Sequence, residues 1–163
     1  SQFERTKSQK RFYLKNCDLI VDVKEAKATI EQFKLFLSYQ KERHEGGEMS
    51  KMGYAEYKAM IEETQIKTLL AEFRLSNGKL IGVLLLDKTD SSYSAVYSFF
   101  EPQETRRSLG TFMILWLIEQ AHYQFVDYVY LGFWIKGCKK MTYKLAFQSM
   151  EYFDGSSWVS ISK

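Results

Sequence analysis

The most constraining feature of the sequence is a run of seven apolar residues, 112–118, which begins two positions after the basic segment RRSLG at 106–110. A helix that is apolar on every side has no face to offer to water, so the run predicts a helix enclosed by the core. Aromatic segments at 93–100 and 128–133 flank it and have the composition of strands. The rest of the chain must therefore fold around a strand–helix–strand unit.

The start of this helix is a candidate binding site. Arg106 and Arg107 precede Gly110, which lies in the first helical turn. A helix N-terminus carries unpaired N–H groups and the positive end of the dipole, so we expect it to attract an anion or a polarised carbonyl. Gly132 lies inside the second flanking strand, where a glycine often marks a bulge or the close approach of a ligand.

The remaining segments predict helices and strands on both sides of this unit. Asp22 and Glu25 resemble a capping box, which predicts a helix from there to about residue 44, after a first strand at 18–21. Asn77-Gly78 is a strong hairpin signal. We expect the other elements to be a helix at 54–63, strands at 68–75, 79–86 and 93–100, a helix at 139–147 and a last strand at 150–153. This order is typical of an α+β, GNAT-like acyltransferase fold: a mostly antiparallel mixed sheet, a buried central helix and flanking helices.

Composition limits the class of protein. With 163 residues and 45% apolar content, the chain is expected to form one globular domain over residues 1–163. Its apolar runs are shorter than the roughly 18 residues that span a bilayer, and its first residues lack the apolar core of a signal peptide, so we expect a cytoplasmic protein without a membrane partner. Cys17 and Cys138 are far apart and predict neither a disulfide framework nor a metal site.

Six short motifs occur together and in order. They are KERHEGGEM at 41–49, YSFFEP at 97–102, RSLGTF at 107–112, YVYLGFW at 128–134, GCKKM at 137–141 and YK at 143–144. On these motifs the chain resembles the C-terminal catalytic domain of the arginyl-tRNA–protein transferase family, and within it most closely the bacterial aspartate/glutamate leucyltransferases. Glu101 departs from the Asp that usually precedes the proline, and we expect the family's cysteine-rich N-terminal lobe to be absent.

The resemblance implies an enzyme that moves an amino acid from aminoacyl-tRNA onto the N-terminal α-amine of a protein that begins with Asp or Glu. The product is an N-degron. Leucine is the expected amino acid, and arginine is the alternative. Aminoacyl-tRNA is the co-substrate, and no cofactor is expected.

The inferred reaction is aminolysis of an ester, which needs a neutral amine, donors for the developing oxyanion and cations for charged substrates. An α-amine has a pKa of about 8, so a strong general base of the Ser-His-Asp type is not expected. The phenols of Tyr97 and Tyr130, on the two strands beside the buried helix, are the candidate catalytic groups. The candidate substrate-binding residues are Arg43, Lys140, Lys144, Gly132 and Trp134, and the candidate tRNA-binding residues are Arg106, Arg107 and Gly110.

Two other functions are compatible with the sequence. A coenzyme A–dependent N-acetyltransferase has the same fold, but Phe112 stands where the GNAT loop pattern has a small residue. A non-catalytic module that binds tRNA or acidic N-termini would use only the basic residues. The candidate residues also have structural alternatives: core packing for the tyrosines and Trp134, a solvated face for Lys140 and Lys144, and salt bridges to Glu101 or Glu104 for the arginines.

Overall fold

The structure, a computed structural model, describes residues 3–135 and 137–161, and it does not describe the side chains of residues 139 and 140. The helices are α1 (Lys7–Leu14), α2 (Ile30–Arg43), α3 (Tyr54–Glu62) and α4 (Leu109–Tyr123), with 3₁₀ helices at Glu48–Lys51 and Lys139–Ala146. The strands are β1 (Ile20–Glu25), β2 (Thr68–Arg74), β3 (Leu80–Lys88), β4 (Ser92–Phe100), β5 (Tyr128–Tyr130), β6 (Glu151–Phe153) and β7 (Trp158–Ser160). Among the described residues, no helix combines the length and apolarity that crossing a bilayer requires.

The first five strands form one mixed sheet in the order β1-β2-β3-β4-β5. The first three pairings are antiparallel, whereas β4 and β5 are parallel and are joined by α4 as a crossover. β6 and β7 form a separate antiparallel hairpin. The expectation of a mostly antiparallel mixed sheet is confirmed.

Both faces of the five-stranded sheet carry a packed core. One face holds α4, where Phe73, Ile81 and Leu84 lie against Met113 and Leu117. The opposite face holds α2 and α3, with a core built from Leu35, Phe36, Tyr57, Ile61, Leu70, Val83, Leu85 and Phe99. The sheet is therefore a central layer between two helical layers.

The predicted buried helix is confirmed as α4, whose residues from Phe112 to Leu117 are all buried. The sheet has a matching depression at Gly82, where an added Cβ would lie 2.2 Å from the Met113 Cε. A third cluster covers the outer side of α4, where Ile114 and Leu115 contact Phe147 near the end of the chain. The helix is thus enclosed by the sheet on one side and by terminal segments on the other.

Two expectations about the first 30 residues are wrong: the first strand is at Ile20–Glu25 rather than at 18–21, and the next helix does not begin at Asp22. Asp22 and Glu25 do not cap a helix, because they lie in β1 and pair with β2. The capping box that begins α2 is formed instead by Thr29 and Gln32, each side chain bonding the backbone N–H of the other residue. α1, which begins with a capping box of the same kind, is not among the predicted helices.

The predicted elements after α4 are only partly confirmed. β5 ends at Tyr130 rather than at residue 133, and the helix expected at 139–147 is a 3₁₀ helix over Lys139–Ala146. β6 lies within the predicted last strand, but β7 was not predicted. These short elements lack the long periodic patterns by which α4 and β2 to β4 can be recognised.

One buried carboxylate links the sheet to α2. Glu72 in β2 is 1% exposed. It accepts hydrogen bonds from Lys24 Nζ at 2.9 Å, Gln32 Nε2 at 2.6 Å and Arg74 Nη2 at 2.8 Å. Arg74 extends the network by pairing with Glu31 at 2.6 Å. Burial acts to raise the pKa of Glu72, but the three donors outweigh it and hold the pKa below its usual value.

We expect Glu72→Gln to lower the free energy of unfolding at pH 7 by about 3 kcal/mol, the usual scale for removing one partner of a buried ion pair. A carboxyl with a lowered folded-state pKa stabilises the fold above its ordinary pKa of 4.5, and this stabilisation is lost as the pH falls through the folded value. The wild-type chain should therefore lose stability on acidification more steeply than the variant. Urea titrations between about pH 3 and pH 7 measure this. Glu25→Gln, at an exposed position in β1, should behave as wild type, and equal slopes for wild type and Glu72→Gln would contradict the assignment.

Candidate functional site

The sheet opens where β4 and β5 part. β5 pairs only with Ser92, Tyr93 and Ser94, although β4 continues to Phe100. Within β4, Leu86 of β3 faces Ala95 and Leu85 faces Tyr97, which leaves Val96 as the extra residue of a bulge. The bulge changes which face the side chains occupy: Ala95 packs on the α4 face, whereas Tyr97 packs on the α2 face. The second half of β4 thus presents Tyr97 toward the end of α2.

A buried amide and three phenols gather at this open end. Gln40 of α2 donates a hydrogen bond from Nε2 to the Tyr97 hydroxyl at 2.6 Å. Burial raises the pKa of Tyr97, and burial followed by the nearby Tyr97 phenol raises that of Tyr39. Tyr143, from the second 3₁₀ helix, acts on Tyr39 in the same direction, and its own pKa is raised by burial. All three phenols therefore keep their protons near neutral pH and can donate hydrogen bonds.

Arg43, a predicted substrate-binding residue, lies beside this cluster. It is the last residue of α2 and is exposed, with its guanidinium carbon 5.8 Å from the centre of the Phe100 ring. The Tyr39 ring lies 4.9 Å from the same ring. Phe100 also explains a local need for glycine at Gly110, because an added Cβ would lie 3.1 Å from the Phe100 Cε1. The end of α2, the end of β4 and the start of α4 therefore meet around Phe100.

Lys144 is the most unusual of the predicted site residues, because it is a lysine that is only 7% exposed. Its Nζ donates to the Phe133 carbonyl, and an added Cβ on Gly132 would lie 4.0 Å from the same Nζ. Within the described residues it forms no ion pair, and burial lowers its pKa. Gly132 has φ of 74°, a conformation that suits glycine. The structure thus joins Lys144 and Gly132 at the chain that leaves β5.

Tyr130 and Trp134 lie among other aromatic side chains of the C-terminal part. Tyr130 is partly exposed, with its ring centre 5.7 Å from that of Trp158 and 6.4 Å from that of Tyr128. The Trp134 ring centre lies 6.0 Å from that of Tyr152. In the part of the chain that the structure describes, neither residue has a ring contact or hydrogen bond with Tyr97.

The two arginines before α4 are placed differently. Arg107 forms a bidentate pair with Asp18 at 2.8 and 2.9 Å and also bonds Glu104 at 3.1 Å. It ties the segment after α1 to the start of α4, so one of its structural alternatives, the pair with Glu104, is present. Arg106 is exposed, and its carbonyl accepts from Lys15. The α4 start has Ser108 at φ of 54° and no side-chain cap. The tRNA-binding roles of Arg106, Arg107 and Gly110 stay predictions.

The side chain of Lys140, another predicted substrate-binding residue, lies outside what the structure describes. In the described ranges no three His, Cys, Asp or Glu side chains are grouped so as to hold a metal ion. The expectation that the protein uses no cofactor is untested by this observation and stays a prediction.

Gln40, Tyr39 and Tyr143 are not among the predicted site residues. A signal for Gln40 was present, because Gln32, Phe36 and Gln40 follow at intervals of four and share one face of α2. That face is buried, since Phe36 is 0% and Gln40 is 1% exposed. A polar residue in register with core residues is a candidate for a specific role.

A mixed sheet with a buried crossover helix and diverging strands is the architecture of GNAT-type acyltransferases. An acetyltransferase of the GNAT family from Staphylococcus aureus Mu50 aligns with a TM-score of 0.57 at 15% identity, covering 88% of this chain and 93% of that one. The structure of L-PGS from Bacillus licheniformis aligns with a TM-score of 0.58 at 9% identity, covering 83% and 46%. The predicted fold class is confirmed.

The sequence identifies the family within this class. Residues 31–154 match the family described as "Arginine-tRNA-protein transferase, C terminus", and the chain belongs to it. It is 42% identical to the aspartate/glutamate leucyltransferase of Paramagnetospirillum magneticum over 96% of its length, and 40% identical to that of Rhodospirillum rubrum over 99%. It spans 64% and 66% of the length of these two relatives. The resemblance drawn from the six motifs is confirmed.

The buried position of Lys144 predicts a pH dependence of stability. Because burial lowers its folded-state pKa below the usual 10.5, the unfolded chain binds more protons between the two values, and stability rises with pH across that window. The free energy of unfolding of wild type relative to Lys144→Met should therefore increase from about pH 7 to pH 10, measured by urea denaturation. Lys41→Met, at an exposed position in α2, is the control. A difference that does not change with pH would contradict the prediction.

Proposed function

We propose that this chain carries the catalytic domain of an aminoacyl-tRNA–protein transferase, as a single domain over residues 1–163. It transfers leucine from leucyl-tRNA to the N-terminal α-amine of proteins that begin with Asp or Glu, creating an N-degron. The observation that carries the proposal is identity of about 40% over almost the whole chain to relatives named aspartate/glutamate leucyltransferase. Arginine is the alternative amino acid, in keeping with the description of the family.

The reaction forms one C–N bond, breaks one C–O bond and moves one proton from nitrogen to oxygen. The nitrogen of the acceptor's α-amine attacks the ester carbonyl carbon of the aminoacyl-tRNA and forms an amide. The ester bond to the terminal ribose breaks, and the proton lost by the nitrogen ends on the ribose hydroxyl. Since a fraction of α-amines with a pKa near 8 is neutral at pH 7, the site has to supply position and hydrogen bonds more than a strong base.

Tyr97 is the catalytic group that the geometry supports best. Its hydroxyl lies at the open end of β4 and accepts a hydrogen bond from Gln40, so its own proton is free for a substrate oxygen. Burial keeps the phenol protonated. A donor in this position stabilises the negative charge that develops on the carbonyl oxygen or passes a proton to the leaving ribose. Tyr130, nearer to Trp158, is the weaker catalytic candidate.

Lys144 is the proposed anchor for the acidic side chain of the acceptor. It is a buried cation with one hydrogen-bond partner among the described groups, a backbone carbonyl, and an ammonium group has three donors. A carboxylate that reaches it would form a charge-assisted hydrogen bond in a region of low dielectric. Arg43 and Lys140 are the other proposed contacts to the acidic residue, and Gly132 and Trp134 complete the acceptor's binding surface.

The aminoacyl-tRNA would approach at the start of α4. Arg106 is exposed and is proposed to contact a phosphate, whereas Arg107 holds the segment in place through Asp18 and Glu104. Gly110 is proposed to contact the tRNA through the backbone N–H groups of the first helical turn. Both proposed substrates are present in the cytoplasm, and the transfer as written needs no cofactor.

A transfer assay tests the function. The chain is incubated with labelled leucyl-tRNA or arginyl-tRNA and with peptides that differ only in an N-terminal Glu, Asp or Ala. We expect leucine to be transferred to the Glu and Asp peptides and not to the Ala peptide, with Tyr97→Phe reducing the rate. Binding of tRNA or peptide without transfer would contradict the enzyme and support a non-catalytic module. Transfer from acetyl-coenzyme A alone would identify an N-acetyltransferase.

The same assay tests Lys144. Lys144→Met should lower kcat/KM for the Glu peptide roughly tenfold or more, because a hydrogen bond to a charged group contributes about 1.5–3 kcal/mol. Transfer to a peptide with N-terminal Gln, which has the same shape without the charge, should change little. Lys140→Met should show the same difference in a smaller degree, and Lys41→Met is the control. An equal loss on the Glu and Gln peptides would mean that Lys144 does not read the charge.

A further inference from the structure

Gln40 is a buried amide in a position where packing does not require one. It lies one helical turn after Phe36 and shares its face of α2, and the two are 1% and 0% exposed. Around it the core of this face is aromatic: the Phe36 ring centre lies 6.3 Å from that of Tyr97 and 5.5 Å from that of Phe99. An aliphatic side chain of similar volume would suit these surroundings.

The hydrogen bonds of Gln40 are only half satisfied. Its Nε2 donates to the Tyr97 hydroxyl at 2.6 Å. Its Oε1 is buried and has no hydrogen-bond partner among the described residues. A buried polar atom without a partner costs about 1–3 kcal/mol, so the amide is destabilising compared with an apolar residue of the same shape.

A second glutamine on the same helix shows the contrast. Gln32 is also buried, but its Nε2 donates to Glu72 and its Oε1 accepts from the Thr29 N–H. Gln32 therefore belongs to the network that holds the sheet to α2. The single described hydrogen bond of the Gln40 side chain leads instead to Tyr97, the phenol at the open end of β4.

The direction of that bond determines what Tyr97 can do. A phenol has one proton and can also accept hydrogen bonds. Because Gln40 donates to the oxygen, the phenolic proton takes no part in the hydrogen bond with Gln40. No other described residue accepts it. The O–H of Tyr97 is therefore held in place with its proton available.

We propose that Gln40 is a positioning residue for the transfer reaction: its amide N–H fixes the Tyr97 hydroxyl so that the phenolic proton points to the substrate oxygen. This inference rests on the proposed function. The unpaired Oε1 lowers the stability of the fold. The Tyr97 hydroxyl in turn becomes a donor whose orientation is set before the substrate arrives. Tyr39 lies near this pair, because the Tyr97 phenol acts on its pKa, and Arg43 and Tyr143 act on Tyr39 as well.

Three variants test the proposal in the transfer assay. Gln40→Met removes the amide and keeps the volume, so we expect an unchanged or higher midpoint of thermal unfolding together with a kcat about tenfold lower. Gln40→Glu keeps a hydrogen bond but reverses it, since a carboxylate accepts the phenolic proton, so kcat should fall as well. Gln40→Met in a Tyr97→Phe background should add no further loss, because both changes act through one phenol. Gln32→Met is the matched control and should lower stability with little change in kcat.

A readout without turnover separates this proposal from the proposed function. In a protein with ¹³C-labelled tyrosines, the Tyr97 resonance is the one that disappears in Tyr97→Phe. In wild type the hydrogen bond from Gln40 stabilises the phenolate. The pKa of Tyr97 should therefore rise further in Gln40→Met, which lacks this bond. Full kcat in Gln40→Met or Gln40→Glu, or an unchanged Tyr97 pKa in Gln40→Met, would overturn the positioning role. A wild-type chain without transfer activity would count against the proposed function, while the resonance would still report the contact.

Discussion

The structure depends on the burial of α4, a helix that has almost no polar face. Because apolar side chains point in every direction, the helix must be covered on all sides to remove them from water. The sheet covers one side, and Phe147 with its neighbours covers another. This second contact positions the 3₁₀ helix that carries Tyr143 and Lys144. The same burial that holds the core together therefore brings the C-terminal part of the chain back to the open end of the sheet.

The long elements could be predicted from the sequence because their patterns are strong. The apolar run of α4 and the hairpin signal between β2 and β3 each allow one interpretation. β1 and β5 were predicted with different bounds and α1 was missed, since each is short and its position is decided by tertiary pairing rather than by periodicity. The capping box shows the difficulty: Asp22 with Glu25 and Thr29 with Gln32 have similar spacing, and only the pairing of β1 with β2 decides between them.

The candidate site was predictable in part. Tyr97 was predicted from its strand beside the buried helix, and Arg43 and Lys144 as cations for an acidic substrate; the fold places them around the open end of β4 and the chain after β5, and their roles stay predictions. Gln40 was not predicted, because hydrogen-bond satisfaction is a property of coordinates. Glu72 and Gln40 are both buried polar side chains at the contact between α2 and the sheet. Both carboxylate oxygens of Glu72 accept hydrogen bonds, whereas Oε1 of Gln40 has no partner among the described residues.

The extra residue at Val96 determines which face of the sheet the Tyr97 side chain occupies. Along a regular strand, odd and even positions face opposite sides, so Ala95 and Tyr97 would share a face without it. With it, the first half of β4 serves the α4 core and the second half serves the α2 side. An insertion or deletion of one residue between the two halves would turn the side chains of one half to the opposite face of the sheet. The Tyr97 phenol would then point away from α2. The number of residues between Ala95 and Tyr97 is therefore more tightly constrained than their type, because it decides which face of the sheet each side chain occupies.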